Sequence, residues 1–103
     1  MGKQTVFISG PMSGIPGFNR DTFRSAEIHF RNAGYAVINP AVLPTDLDDS
    51  KYTPICLAMI DQSDIVFMLD GWKESRGARL ERDYAIRCGK IIFDSEPKDH
   101  DRA

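Results

Sequence analysis

The chain has 103 residues, of which 42% are hydrophobic and 27% are charged, and both figures are typical of one globular domain over residues 1–103. Its formal net charge is -2 and its lysines and arginines are scattered, which excludes the clustered basic surface expected of a protein that binds duplex nucleic acid. No apolar run approaches the roughly 20 residues that span a bilayer, and the first residues lack the pattern of a secretory leader. We therefore expect no membrane partner and a cytoplasmic location.

The first third of the chain contains two short apolar runs on either side of a helical pattern. Residues 5–8 are β-branched or aromatic, which predicts a buried first strand, and a long glycine-rich loop follows. Asn19 is a suitable N-cap for the first helix, and Gly34 is a suitable left-handed end to it. Residues 35–38 then predict the second strand.

The middle of the chain contains a loop and a second helix. Residues 41–51 show no sustained periodicity and predict a surface loop. The helix that follows is predicted to begin with Thr53 as its N-cap and Pro54 at its first position, where proline needs no amide partner. Its buried stripe is predicted to be Ile55, Met59 and Ile60.

The last third of the chain predicts a strand, a helix and a second strand. Residues 65–69 form the predicted third strand, residues 77–88 a third helix that Gly89 ends, and residues 90–93 the last strand. The polar residues 96–103 are expected to fray.

Strands that alternate with helices predict an α/β fold, because right-handed crossovers then build a parallel sheet with helices on both faces. The prediction is a flavodoxin- or Rossmann-like three-layer sandwich with a four- or five-stranded parallel sheet in the order 2-1-3-4. In such a sheet the ligand crevice lies where the strand order reverses, between the first and third strands. The loops after those strands, residues 9–18 and 70–76, are rich in glycine, so we expect the site there.

The two cysteines, Cys56 and Cys88, have no second cysteine or histidine at metal-binding spacing. We expect two buried, reduced thiols rather than a disulfide framework or a zinc site. The prediction is a protein that uses no metal and no cofactor.

The third predicted helix carries an acidic residue on its apolar side. Ala78, Glu81, Ala85 and Cys88 fall on one face, at positions i, i+3, i+7 and i+10. A carboxylate aimed inward costs several kcal/mol unless it is paired, protonated or facing a ligand cavity. Two interpretations stay open at this point. Glu81 pairs with an arginine or caps a loop amide, or it is a nucleophile or acid-base group in the crevice.

The loop after the first strand contains glycines where backbone can approach a ligand closely and amides that can hold a phosphate. Residues 7–14 are not a Walker loop, because the Gly-Lys-Ser/Thr ending is absent, and they lack the GxGxxG dinucleotide fingerprint. ATP hydrolysis and hydride transfer are therefore not supported. A glycine-rich turn after a strand is also common as turn chemistry alone.

Four segments of the sequence form a recognisable set. They are Phe7-Ile-Ser-Gly-Pro-Met-Ser-Gly14, Asn39-Pro40, Ser63-Asp64 and Gly71-Trp-Lys-Glu-Ser-Arg-Gly-Ala-Arg-Leu-Glu81. Together they resemble the nucleoside 2-deoxyribosyltransferase-like superfamily, in a bacterial and phage branch related to 2'-deoxynucleoside 5'-phosphate N-hydrolases. The resemblance extends from about residue 5 to residue 93, and the spacing Ser75-x-Gly77-x-x-x-Glu81 matches the active-site segment of the superfamily. In the characterised relatives the glutamate at this place attacks the anomeric carbon of deoxyribose, which implies that Glu81 is the catalytic nucleophile.

Two positions depart from those relatives. The hydrolases have a tyrosine where this chain has Phe7, and a catalytic aspartate where it has Cys56. Asp61, or an aspartate of the loop before the second helix, is the candidate to replace that acid. The resemblance also implies that Ser13 and Ser75 contact a phosphate.

The resemblance implies an N-glycosidic-bond hydrolase or deoxyribosyltransferase that acts on a nucleoside or nucleoside 5'-phosphate through a glycosyl ester on Glu81. The partners are thus a small-molecule nucleoside or nucleotide and, because relatives assemble and the chain is short, a second copy in a homodimer. The expected substrate-binding residues are Gly10, Pro11, Met12, Ser13, Gly14, Asp70, Trp72, Ser75 and Gly77. An alternative is a nucleotide-binding module without turnover, which Phe7 and Cys56 favour. A third, from fold analogy alone, is a protein that binds or cleaves an NAD-derived nucleotide.

Overall fold

The computed structural model describes residues 2–95, in which strands and helices alternate along the chain. The strands are β1 (Thr5–Ser9), β2 (Ala36–Ile38), β3 (Ile65–Met68) and β4 (Ile91–Asp94). The helices are α1 (Arg20–Asn32), α2 (Asp49–Asp61) and α3 (Arg76–Arg87). Short 3-10 segments occupy Pro16–Asn19, Pro40–Val42 and Trp72–Glu74. The fraying predicted for residues 96–103 concerns a segment outside the described residues.

The strands form one parallel sheet in the order β2-β1-β3-β4. Phe7 in β1 is level with Ile38 of β2 on one side and Val66 of β3 on the other. Phe67 of β3 is in turn level with Phe93 of β4. The predicted α/β class and strand order are therefore confirmed, with four strands in the part of the chain that the structure describes.

The two faces of the sheet are covered by different helices, because side chains alternate between the faces along each strand. Val6 and Ile8 of β1 pack on the α1 side, in one core with Phe23 and Phe30. Phe7 packs on the other side, in a second core to which α2 and α3 contribute. The result is the predicted arrangement of three layers.

The beginning of α2 differs from the prediction. The helix starts at Asp49, four residues before Thr53, and Pro54 lies inside it rather than at its first position. A proline near the start of a helix removes one intrahelical hydrogen bond, which the remaining turns can offset. The first turn also has tertiary support, because the Tyr52 hydroxyl donates a hydrogen bond to the Pro44 carbonyl in the preceding loop.

The buried face of α2 is also not the predicted one. Cys56 and Ile60 are its buried residues, whereas Ile55 and Met59 are only half-buried. The predicted stripe is therefore right for Ile60 alone, because α2 packs against the sheet through the face that carries Cys56 and Ile60.

Two further local predictions need correction. α1 begins directly after Asn19, as predicted, but Asn19 has a left-handed backbone (φ 61°) and its side chain does not cap the helix. That side chain instead donates to the Pro11 carbonyl across the loop, at 2.9 Å. Cys88 is exposed because it follows the last residue of α3, so Cys56 alone is a buried thiol.

Candidate active site

A cavity of about 400 Å³ opens at the carboxyl ends of the strands, where the strand order reverses. Its wall has three parts: the loop after β1, the N-terminal half of α2 with the loop before it, and the N-terminus of α3. Small-molecule sites typically enclose about 300–1,000 Å³, so the cavity can hold a molecule of nucleoside size. Its position is the one predicted from the strand order.

Glu81 is the acidic residue at which β1, α2 and α3 meet. It lies in the second turn of α3, and its Oε1 atom accepts a hydrogen bond of 2.6 Å from the Ser9 hydroxyl. The Cys56 thiol on α2 is also hydrogen-bonded to this carboxylate. The bonds that the structure gives Glu81 thus come from a hydroxyl and a thiol, not from an arginine or a loop amide. Glu81 and Cys56 both line the cavity.

Burial makes the Glu81 carboxyl group a weaker acid than an exposed glutamate. Loss of hydration raises the pKa of Glu81 to about 7, although the hydrogen bonds from Ser9 and Cys56 act in the opposite direction. Burial and the neighbouring Glu81 carboxylate raise the pKa of the Cys56 thiol to about 12. At neutral pH, Glu81 therefore exists in both ionised and protonated forms, whereas Cys56 stays a protonated donor.

The end of β1 places Ser9 against Glu81. Ser9 shares the α2 and α3 side of the sheet with Phe7, because alternate residues of a strand share a face, and it is fully buried. The chain then passes over Leu69 at Gly10, where a Cβ atom would lie only 2.7 Å from the Leu69 Cβ. Glycine at this position therefore allows the loop to leave the strand toward the cavity.

The loop after β1 ends in a left-handed segment beside the cavity. Gly17, Phe18 and Asn19 have φ angles of 62°, 55° and 61°. A left-handed backbone is unfavourable by about 1–3 kcal/mol for a residue with a side chain, so contacts with the surrounding structure must stabilise this conformation. The bond from Asn19 to Pro11 does so by tying the two ends of the loop together. Phe18 lines the cavity while 45% of its surface stays exposed, which places an aromatic ring at the rim.

A polar stripe on α2 faces the cavity. Asp49, Tyr52, Thr53 and Cys56 follow the spacing i, i+3, i+4 and i+7, and all four line the cavity. One turn further along the same face, Ile60 is buried in the core. The inner face of α2 therefore borders a ligand space in its first two turns and the protein core in its last. The sequence does not predict this stripe, because the predicted helix begins at Thr53 and its inward positions are assigned to apolar residues.

The N-terminus of α3 adds positive potential to the cavity wall. Ser75 is its N-cap, and its Oγ atom accepts a hydrogen bond of 3.1 Å from the Ala78 amide. Ser75, Arg76 and Gly77 line the cavity, so this wall combines a cation with the start of a helix dipole. Glu74 lies on the same wall and offsets part of that charge.

The cavity brings together seven of the ten residues predicted for the site, namely Gly10, Pro11, Met12, Ser13, Ser75, Gly77 and Glu81. Gly14, Asp70 and Trp72 lie outside its lining. Asp70 instead accepts a hydrogen bond of 2.8 Å from the Ser95 hydroxyl. Trp72 packs against the core shared by α2 and α3, and the Arg82 guanidinium lies 4.7 Å from the centre of its ring.

The two candidates to replace the relatives' catalytic aspartate lie at different places in the structure. Asp61 lies at the far end of α2 and accepts a hydrogen bond of 2.6 Å from the Tyr84 hydroxyl, outside the cavity lining. Asp49, from the segment predicted as the preceding loop, lines the cavity. Phe7 is fully buried in the core and lies outside the lining, and the hydroxyl group beside Glu81 comes from Ser9 instead.

Two of the four segments that carry the family resemblance serve the fold. Asn39 is buried, its side-chain oxygen accepts a hydrogen bond of 2.8 Å from the Ala41 amide, and its side-chain amide donates to Glu27 at 3.0 Å. The Asp64 carboxylate accepts a hydrogen bond of 2.8 Å from the Thr5 amide, where β1 and β3 begin. Asn39 and Asp64 thus order the ends of strands and lie outside the cavity lining, whereas Pro40, the second residue of its segment, lines the cavity.

Within residues 2–95, no group of three or more histidine, cysteine, aspartate and glutamate side chains is placed to hold a metal ion. Across this same part of the chain, every helix is too short or too polar to cross a membrane.

Comparison with known proteins identifies the family and the fold. The family described as "Domain of unknown function (DUF4406)" matches residues 4–94, and the chain belongs to it. Among solved structures, the chain is similar to a 2-desoxiribosyltransferase from Leishmania mexicana, with a TM-score of 0.72 and 16% identity over 92% of this chain and 67% of that one. No curated protein matches the sequence. The predicted resemblance to the nucleoside 2-deoxyribosyltransferase-like superfamily is thereby confirmed at the level of the fold, which is what the two structures share at this identity.

Proposed function

We propose that this member of the DUF4406 family cleaves the N-glycosidic bond of a nucleoside or nucleoside 5'-phosphate, with Glu81 as the nucleophile. The observation that carries the proposal is the Glu81 carboxylate, which lines a cavity of nucleoside size and is held there by Ser9 and Cys56. A carboxyl group with a pKa of about 7 in a cleft is typical of a catalytic group. The fold shared with a 2-deoxyribosyltransferase supports the same class of chemistry.

The proposed reaction consists of two displacements at the anomeric carbon. The ionised Glu81 carboxylate attacks C1', and the electron pair of the broken C–N bond leaves with the base, which takes up a proton. The resulting glycosyl ester is attacked by water in a hydrolase, or by a second base in a transferase, and the Glu81 carboxylate is released. Each displacement inverts C1', so the product retains the original configuration.

The walls of the cavity suit different parts of the substrate. The sugar lies against Glu81, and the α3 N-terminus with Ser75 and Arg76 binds the 5'-phosphate or the sugar hydroxyls. Phe18, the aromatic residue at the rim, covers the base. Trp72, which was expected to bind the substrate, packs against the core instead.

A nucleotide-binding module without turnover is the second candidate. It is favoured by Cys56, a thiol at the place of the relatives' acid, and by Phe7, which has no hydroxyl group. We prefer the enzyme because two further carboxyl groups, those of Asp49 and Glu74, line the same cavity as Glu81. A pure binding module needs no such set of acids.

A cytoplasmic location and a homodimer stay predictions. β4 is an edge strand on which Ile91 and Phe93 are 49% and 38% exposed, and this apolar surface is suitable for contact with a second copy. Analytical ultracentrifugation checks the dimer. A mass of twice 11.6 kDa is expected, and a mass of 11.6 kDa at all concentrations contradicts it.

The release of free base tests the proposed function. Wild type and Glu81→Gln are incubated with a panel of deoxynucleosides and their 5'-phosphates, and the base is quantified by chromatography. We expect wild type to release base and Glu81→Gln to lose about a thousandfold or more of that rate, because the nucleophile is gone. Asp83→Asn removes a carboxylate from the solvent side of the same helix and is the matched control.

Undiminished release by Glu81→Gln contradicts the proposed mechanism. If wild type releases no base but binds a panel member saturably, the nucleotide-binding module is the better description.

A further inference from the structure

We propose that the preferred substrate is a nucleoside whose base carries a positive charge, such as a 7-alkylated purine nucleoside or an N-glycosyl pyridinium; this inference rests on the proposed function of the cavity. The charged residues of the lining are three acids, Asp49, Glu74 and Glu81, and one basic residue, Arg76. Asp49 and Glu74 are exposed, and exposed carboxyl groups are ionised at neutral pH. When Glu81 is ionised as well, negative charge outweighs positive charge around the cavity, which therefore attracts cations.

The groups beside Glu81 are poor sources of a proton. Its hydrogen-bond partners are the Ser9 hydroxyl and the Cys56 thiol, and burial together with the Glu81 carboxylate raises the pKa of that thiol to about 12. The Tyr52 hydroxyl, also in the lining, donates to a loop carbonyl. A neutral base that leaves without a proton becomes an anion, and an acid that supplies the proton typically contributes about 10²- to 10⁴-fold to the rate. None of these neighbouring groups among the described residues is a suitable acid for a neutral base.

A cationic base removes the need for that acid. The electron pair of the broken bond cancels the positive charge of the base, which departs as a neutral molecule. As the bond weakens, positive charge develops on the sugar, because the transition state resembles an oxocarbenium ion. The negative charge of Glu81 stabilises it there. At the rim, the Phe18 ring attracts a cationic base through its π-face.

Atoms, charge and electron pairs balance over the two steps. An oxygen of the ionised Glu81 bonds to C1', and the C–N electron pair moves to the cationic base, which gives a neutral base and a glycosyl ester. Water then attacks C1', the electron pair of the ester bond returns to Glu81, and a proton of the water passes to the solvent. The products are a free sugar, a neutral base and one proton. Alkylated purine nucleosides and N-glycosyl pyridiniums share this chemistry, so the experiment includes both.

Substrates that differ in the charge of the base test the preference. They are guanosine, 7-methylguanosine in mildly acidic buffer, where its base is a cation, and nicotinamide riboside, each also as the 2'-deoxyriboside. Because cationic nucleosides hydrolyse faster in water as well, kcat/KM is divided by the uncatalysed rate constant in the same buffer. We expect this ratio to be about 100-fold or more larger for a cationic nucleoside than for guanosine, because only guanosine needs an acid.

A charge variant of the cavity tests the cause of the preference. Asp49→Asn combined with Glu74→Gln removes two negative charges from the lining and keeps the nucleophile. We expect kcat/KM to fall about tenfold with the cationic substrate, less so at high salt, and to stay within about twofold with guanosine. The matched control is Asp48→Asn combined with Asp83→Asn, which removes two exposed negative charges outside the lining and keeps both values.

The outcomes separate this inference from the proposed function. An equal ratio for guanosine and the cationic nucleosides overturns the inference and leaves the proposed function in place. Equal losses with both kinds of substrate, in a charge variant that is folded by circular dichroism, overturn it as well. Cleavage of one cationic class alone supports it and identifies the base as an alkylated purine or a pyridinium. Full activity of Glu81→Gln overturns the proposed function itself, and a wild type that cleaves none of these nucleosides refutes both proposals.

Discussion

Replacing Glu81 with glutamine is expected to stabilise the protein at alkaline pH. In the folded protein, burial raises the pKa of Glu81 from the ordinary value of 4.5 to about 7. Between these two values the folded state keeps a proton that the unfolded chain loses. The free energy of unfolding therefore falls as pH rises through this window, and above about pH 7 the full cost of burying the charge is present.

The size of the effect follows from the difference between the two pKa values. Each unit of pKa corresponds to about 1.4 kcal/mol, so a rise from 4.5 to about 7 amounts to about 3 kcal/mol. This is a large share of the roughly 5–15 kcal/mol by which a domain is stable. Glutamine has nearly the same shape, and its side-chain oxygen can still accept the hydrogen bond from Ser9, so Glu81→Gln removes the charge but keeps the packing.

Urea unfolding of wild type and Glu81→Gln at pH 5 and pH 8 measures this effect. The advantage of the variant is expected to be about 2–3 kcal/mol larger at pH 8 than at pH 5. Asp83→Asn, on the exposed side of α3, is expected to show no such difference. A wild-type stability that depends on pH no more than that of Glu81→Gln would refute the reasoning, because the Glu81 carboxylate would then be as hydrated when folded as when unfolded.

Two further substitutions test the surroundings of Glu81. Ser9→Ala removes a hydrogen bond that lowers the pKa of Glu81, so the acidic limb of the pH profile for base release is expected to move to higher pH; an unmoved limb contradicts the role of that bond. Gly10→Ala brings a Cβ atom to 2.7 Å from Leu69 and is expected to lower the free energy of unfolding by about 1–3 kcal/mol in urea. Gly77→Ala, where no atom lies within 4 Å, is the control, and an equal loss in both variants would count against the close approach.

Local patterns were sufficient to predict the fold. The first strand is a short run of β-branched and aromatic residues, and α1 ends where Gly34 adopts a φ of 96°. Each of these signals lies within a few residues of the element that it ends or begins. Once the alternation of strands and helices was known, handedness and the absence of crossing connections left few possible sheet orders. Glu81 could be found in the same way, because a lone acid on the apolar face of a helix is a local anomaly.

Contacts between distant segments could not be predicted in this way. Ser9 and Glu81 are 72 residues apart, and neither carries a periodic signal for the other. The start of α2 was misplaced because Pro54 is common at a first helical position, whereas the actual first turn depends on a bond between Tyr52 and the loop before it. As a result, Asp49 was assigned to a loop, although it is the first residue of the helix that forms a wall of the cavity.

A helix whose inner face borders an open space over its first two turns gains little from burial there, and α2 also lacks one internal amide donor at Pro54. Segments of this kind open locally more often than the rest of a domain. The backbone amides of residues 49–57 should therefore exchange with deuterium faster than those of α3, and more slowly once a molecule fills the cavity. Mass spectrometry of one peptide then becomes a label-free screen of metabolite mixtures for the natural substrate, which requires no assumption about the reaction.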